Sequence, residues 1–257
     1  MVTGGNRLTY AADTGSPAAS LLETKILLNS TISDAHKCAR FMSMDLKDFF
    51  LATPMEKPEF MKVPKRYFPN DIQDKYNLHE KIHNDYVYIK IKMGMYGLKQ
   101  AAILAYENLV KNLSKFGYEP IEQTDSFWRH KNRPTKFCLF IDDFGVKYFD
   151  KADINHLISS LQHNYKLSTD FSGYNYYELT INWNYANQFV DISMPGYIEK
   201  ALTKFQHTPK IPQYSPHQYT RHQYGKTAQY TPGPDTSPAT TKKETKHVQS
   251  VTCTFLY

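Results

Sequence analysis

The chain has 257 residues, a formal net charge of +6, 20 Tyr and 15 Phe, enough to bury a substantial core as one large or two small domains. Cys38, Cys138 and Cys253 lie far apart without CxxC spacing, which argues against a disulfide framework or a Cys-rich zinc site and for a reducing compartment. No signal-peptide pattern and no apolar run of membrane-spanning length appear, so a soluble, cytoplasmic or nuclear chain without a membrane partner is expected, not a secreted one.

Residues 1–20 are rich in Gly, Ser and Thr and read as loop. Leu22, Ile26, Leu27 and Ile32, with Glu23 and Lys25 between them, predict a short buried helix over 21–33. Phe41–Asp45 is an apolar run ending in an acid, which predicts a buried strand delivering Asp45 at its C-terminal end. A helix N-cap is the alternative for Asp45, and a first-turn helix acid is the reading kept for Asp48. Residues 55–85 are charged and Pro-punctuated, an excursion with little core of its own. Within it His79-Glu80-Lys81-Ile82-His83 matches the HExxH spacing of zinc hydrolases. That chemistry needs a stable helix, a third ligand and buried support for the imidazoles. Pro69 upstream and a strand-like run from Tyr86 leave barely two turns, so the match reads as chance.

Tyr86–Ile91 alternates as a strand, and Gly94 and Gly97 then let backbone approach a ligand closely or simply make a turn. A helix is predicted over 101–116, with Ala102, Tyr106, Leu109, Leu113 and Phe116 as its apolar stripe and Gly117 at its C-cap. Residues 137–149 form a hydrophobic hairpin carrying Asp142 and Asp143 at or beside its turn. By itself this is ordinary turn chemistry; the alternative is a divalent-metal site, which needs a third acid from elsewhere. Asp150 can cap a helix bearing Ile154, Leu157, Ile158, Leu161 and Tyr165; residues 176–182 and 188–194 read as a second hairpin, and Pro195-Gly196 open a further helix. Residues 207–257 hold six Lys or Arg against Asp235 and Glu244, giving +4 and leaving +2 for residues 1–206. Rich in Pro, Gln, Tyr, Thr and His, this tail is expected to be extended or disordered.

Three carboxylates from two strands, Asp45, Asp142 and Asp143, fit a two-metal phosphoryl-transfer site. Adjacent strand residues point to opposite faces, so Asp142 is expected to pair with Asp45 and Asp143 to be less direct. At this point the chain resembles the reverse transcriptase of copia-type long-terminal-repeat retrotransposons. The resemblance rests on Met44-Asp45-Leu46-Lys47-Asp48-Phe49-Phe50-Leu51, Met95-Tyr96-Gly97-Leu98-Lys99-Gln100, Phe140-Ile141-Asp142-Asp143 and Gly196–Phe205, four motifs in the family's order over roughly residues 20–206.

The resemblance implies an α/β (α+β) right-hand polymerase: a palm with partial fingers over 1–206, an antiparallel sheet with packed helices, and a connecting tail over 207–257. It implies RNA-directed DNA polymerase activity with two Mg2+ ions, or Mn2+ in their place, on Asp45, Asp142 and Asp143. Leu46, Asp48, Phe49, Phe50, Tyr96 and Gly97 fall at the nucleotide, with Phe50 as the gate against a 2′-hydroxyl, and the 176–194 hairpin falls at the primer end. Partners would be an RNA template, a DNA primer and dNTPs, with RNase H and integrase domains elsewhere in a longer polyprotein. Phe140 stands for the family's Tyr, Phe49 for a small residue, and Ala102–Ala105 for Pro-Arg-x-Trp. The basic fingers strand would precede Met1. A truncated, silent remnant that at most binds nucleic acid is the rival expectation.

Overall fold

Six α-helices and eleven β-strands follow one another among the described residues of the computed structural model, which are 9–10, 14–124, 126–208 and 238–255. In order they are α1 (Leu21–Ser33), β1 (Arg40–Lys47), β2 (Pro54–Pro64), α2 (Asn70–Lys75), β3 (Tyr86–Met93), α3 (Ala101–Ser114), β4 (Tyr118–Pro120), β5 (Phe127–His130) and β6 (Lys136–Phe140). Then come β7 (Asp143–Tyr148), α4 (Lys151–Gln162), β8 (Lys166–Asp170), β9 (Asn175–Tyr176), β10 (Leu179–Asn184), β11 (Phe189–Ser193), α5 (Tyr197–Lys204) and α6 (Lys242–Phe255). The expected antiparallel sheets with packed helices are present. Among the described residues no helix is long and apolar enough to cross a membrane.

The chain divides into two units after Ser193. The first is built on a six-stranded sheet in the order β4-β5-β6-β7-β1-β8. β1 enters between β7 and β8 and pairs antiparallel with both. Because side chains alternate along a strand, Met42, Met44 and Leu46 share one face with Phe144, Val146 and Tyr148 of β7. That face is the main core, closed by Leu109 and Leu113 of α3 and Ile154, Leu157 and Leu161 of α4. The opposite face presents Phe41, Ser43 and Asp45 beside Lys147, Gly145 and Asp143. Phe41 packs there on Tyr176 and Trp183, with ring centroids 5.9 and 5.2 Å apart.

α1 covers the same face and starts at a capping box: Glu23 N–H donates to Ser20 Oγ at 3.2 Å, and Ser20 N–H to Glu23 Oε2 at 2.8 Å. Its bounds are those predicted, but its buried stripe is not. Thr24, Leu27, Leu28, Thr31 and Ile32 face inward, while Leu22 and Ile26 are 68% and 50% exposed. Thr31 belongs on the buried face because its hydroxyl is satisfied by the Leu27 carbonyl at 2.8 Å. Residues 55–85 also hold more structure than expected, since β2 and β3 pair as a separate ribbon that buries Met55, Val63, Val87 and Ile91. α4 buries the predicted Ile154, Leu157 and Leu161, with Asp150 Oδ1 accepting from Ala152 N–H at 2.7 Å. α3 ends at Ser114 and buries Ala101, Ala105, Leu109, Asn112 and Leu113, so only Leu109 and Leu113 of its predicted stripe point fully inward, while Ala102, Tyr106 and Phe116 are partly buried at its edge.

In the second unit α5 follows Gly196, and α6 departs from the expectation of an extended or disordered tail. Thr241 and Glu244 form a cap there: Thr241 N–H and Oγ1 donate to Glu244 Oε2 at 2.7 and 2.8 Å. Residues 209–237 of that tail lie outside the described residues.

A buried cation ties α1 to the sheet. Lys147 donates to Ser30 O at 2.8 Å, Ser30 Oγ at 2.7 Å and Asp34 Oδ2 at 2.6 Å. The Lys147 bond, followed by that of Lys37, holds the Asp34 carboxyl down to about 2. A carboxyl depressed in the fold stabilises above its ordinary value and loses that contribution as pH falls through its folded one. Asp34→Asn is therefore expected to lower Tm at neutral pH, with the gap to the parent narrowing between about pH 4 and pH 2. Thermal melts across that range check it, and a pH-independent gap would assign the loss to shape rather than charge.

Candidate active site

The acid hairpin is tighter than its sequence suggests. β6 and β7 are joined by two residues, Ile141 and Asp142, between the paired Phe140 and Asp143. Ile141 has φ +58, a left-handed conformation that a β-branched residue adopts only at a cost of about 1–3 kcal/mol. The turn is fixed from outside, because Leu46 N–H donates to the Asp142 carbonyl at 3.0 Å. Asp143, expected to be the less direct acid, is the register partner of Asp45. Directly opposed residues of an antiparallel pair stand on one face, so like charges there repel.

The electrostatics bear this out. Burial, then the charges of Asp142 and Asp45, push the Asp143 carboxyl up to about 6. Burial also raises Asp142, and the charge of Asp45 adds to it, while its own backbone N–H and the Tyr96 hydroxyl hold it back. Tyr96 in turn is raised by burial and then by Asp142, Asp45 and Asp48. The three acids and Tyr96 thus occupy one electrostatic neighbourhood. Among the described residues no three His, Cys, Asp or Glu side chains converge tightly enough to hold a single ion. The donor set nevertheless suits a hard divalent cation: carboxylate oxygens without thiol or imidazole.

The predicted nucleotide residues divide by exposure. The side chains of Leu46 and Phe49 lie in the main core, so what either can offer a ligand is backbone. Phe49 packs on Tyr165 with centroids 5.8 Å apart, which explains why a large ring is accommodated beside Phe50. Asp48 is exposed and starts a turn with φ +57 rather than a helix; the Ala52 N–H to Asp48 carbonyl bond at 3.0 Å closes it. The Phe50 ring meets Tyr96 edge-on at 4.7 Å. Gly94 lies beneath, with its N–H on the Thr53 carbonyl at 2.7 Å. Gly97, exposed, takes φ +92.

Further residues stand beside the acids, some of them in the hairpin expected at the primer end. A cleft of about 360 Å³ joins Asp45 and Asp143 to Ser168, Asp170, Tyr176 and Tyr177. Ser168 Oγ donates to Asp45 Oδ2 at 3.4 Å. Tyr176 donates its hydroxyl to the Cys138 carbonyl at 3.2 Å, and its ring rests against Gly145, where a Cβ would come within 3.0 Å. Tyr177 and Glu178, at φ +49 and +56, form the turn between β9 and β10, and the Tyr177 ring packs on Phe140 tilted by 41°, with centroids 3.5 Å apart. The predicted second hairpin is therefore β10–β11, preceded by a tight turn that reaches the acids. The HExxH match yields no site: residues Leu78–Lys81 form a 3-10 turn, and His79 meets Asp74 at 3.4 Å.

A Cβ on Gly94 would lie 2.6 Å from the Phe50 carbonyl oxygen, which is backbone and cannot swing aside. Gly94→Ala is expected to destabilise the fold by about 1–3 kcal/mol, read as a lower urea midpoint with unchanged slope.

Three comparisons bear on this arrangement. No curated protein matches the sequence. Of solved structures, the apo telomerase of Candida tropicalis truncated from its C-terminal domain is similar at 14% identity and TM-score 0.35, over 68% of this chain and 40% of that one. The telomerase of Candida albicans with the TWJ fragment of telomeric RNA is similar at 10% identity and TM-score 0.38, over 74% and 38%. The chain thus spans about two-fifths of the length of either. Residues 5–219, which include β1 with Asp45, the 94–100 turn and the acid hairpin, match the family described as reverse transcriptase (RNA-dependent DNA polymerase), and the chain belongs to that family.

Proposed function

We propose that the chain is an RNA-directed DNA polymerase of a copia-type retrotransposon, a piece of a longer polyprotein, extending a DNA primer on an RNA template with dNTPs. The observation that carries this reading is the register of Asp45 against Asp143, with Asp142 in the adjoining turn, in a chain of the reverse transcriptase family. The β1–β7 sheet is read as palm and the β2–β3 ribbon as the fingers portion. Asp45, Asp142 and Asp143 are the residues that would hold two Mg2+ ions. When bound, such ions supply charge neutralisation at the phosphates and a more acidic 3′-hydroxyl.

The chain's own residues supply position. Tyr96 donates to Asp142 and so fixes the carboxylate that the turn presents. Phe50, pinned by Gly94 and edge-packed on Tyr96, is read as the wall against a ribose 2′-hydroxyl. The Tyr177–Glu178 turn and the β10–β11 hairpin are read as the grip on the primer end, facing the Asp45 and Asp143 cleft.

Primer extension on an RNA template with Mg2+ tests the reading. Asp142→Asn is expected to reduce extension about 100-fold or more, while a parent chain that does not extend even with upstream polyprotein sequence restored would favour a silent remnant. Phe50→Val, by opening the wall, is expected to raise ribonucleotide incorporation about 10-fold or more relative to dNTP. Unchanged selectivity would remove Phe50 from the nucleotide site.

A further inference from the structure

The β2–β3 ribbon has two unlike faces. One buries Val63, Val87 and Ile91. On the other, the register pairs Phe60 with Lys90, Lys62 with Tyr88 and Pro64 with Tyr86; alternation then adds Lys92 to the same face. Phe60 and Tyr88 are 63% and 56% exposed. The Lys62 ammonium sits 4.0 Å from the Tyr86 ring centroid. Across these paired positions aromatic rings and ammonium groups alternate, and none carries a carboxylate. Glu59 points to the other face, where its carboxylate accepts from Gln100 at 3.0 Å.

The pattern continues past the end of β2. The Arg66 guanidinium lies 5.2 Å from the exposed Tyr67 ring. Lys65 and Arg66 also line a cavity of about 460 Å³ with Gln73, Asn84 and Asp85. Exposed rings of this size are costly in water unless something covers them. A purely apolar partner would leave three ammonium groups desolvated and unpaired, which is costly. A duplex offers phosphates but keeps its base faces stacked away from a flat surface. An unpaired strand satisfies both halves of the pattern, bases on the rings and phosphates on the lysines.

We propose that this face of the β2–β3 ribbon, built from Phe60, Lys62, Tyr86, Tyr88, Lys90 and Lys92, is a binding platform for single-stranded nucleic acid, read by stacking and charge rather than by sequence. It does not depend on polymerase activity, and its test contains no dNTP and scores no extension. Fluorescence anisotropy would follow labelled U12 and dT12 on the full chain across a salt series, with heparin as a polyanion lacking bases. The Phe60→Ala/Tyr88→Ala double variant is expected to bind both strands about 10-fold or more weakly with the salt slope kept, heparin binding being unaffected. Tyr88→Phe, which keeps the ring, should bind as the parent does. Lys62→Gln/Lys90→Gln should lower the logarithmic salt slope by about 1.4, roughly 0.7 per lost contact. The substituted side chains are all exposed, and circular dichroism of each variant would check that it folds. The proposal is overturned by a parent chain that binds neither strand, by an aromatic double variant as tight as the parent, or by heparin affinity falling in step with strand affinity.

Discussion

The pairing of β1 with β7 is the constraint on which the site depends. Six consecutive residues of each strand are in register, and the side-chain period of two allows no slip of one residue. Such a slip would turn Asp45 toward the α3 and α4 core and bring Met44 to the cleft. Several contacts forbid it. Lys147 is held under α1 by Ser30 and Asp34, Gly145 has Tyr176 seated on it, and the Asp142 carbonyl is bonded by Leu46. The opposed carboxylates are therefore not a choice of the local strand, where like charges across a ladder destabilise by roughly 0.2–1 kcal/mol. They are imposed by the surrounding pairing, which also holds Ile141 left-handed.

A second lock joins this sheet to the ribbon. The turn that begins at Asp48 is closed by its own backbone bonds, then pinned where Gly94 meets the Phe50 carbonyl and the Thr53 carbonyl. Only a residue without Cβ fits there, so Gly94 is required by close approach rather than by an unusual φ. The result sets Phe50 on Tyr96 and Tyr96 on Asp142. A chain of three contacts thus runs from the ribbon to the acid turn.

Much of this was legible in the residues. The apolar spacing marks the extent of α1, and the position of α3, the stripe of α4 and the acid hairpin read directly from the residue pattern. Periodicity misjudged the α1 face, because Thr24 and Thr31 occupy buried positions that composition assigns to solvent, while Leu22 and Ile26 do the reverse. It also undervalued residues 55–85, whose apolar positions Val63 and Val87 lie far apart in sequence and become a core only once the ribbon pairs. The expectation for the tail rested on its polar composition and took no account of the Thr241–Glu244 spacing that caps α6. Ser168 could not be found this way at all, and the 176–194 hairpin was expected at the primer end without Tyr176 or Tyr177 being singled out beside the acids. All three reach the acids through the neighbouring β8 and a tight turn, and nothing local to them distinguishes them from ordinary surface residues.

The net charge of +6 conceals a separation with consequences for any polyanion. Lysines are carried on the outer face of the ribbon, whereas the cleft at the end of β1 is lined by Asp45, Asp143 and Asp170. Partial burial opposes the charge of Asp170, but bonds from Ser172 and neighbouring backbone outweigh it and keep that carboxyl low. Asp143 has no comparable donors and is pushed up instead. The cleft is thus a place where negative charge is held against its own repulsion, and a phosphate approaching it would meet that field first. Counter-charge is needed there before nucleic acid can be drawn in, whereas the ribbon already carries its own. On the proposed platform a strand would meet a lower electrostatic cost than in the cleft, so binding there is expected to persist under conditions in which the acids are not neutralised.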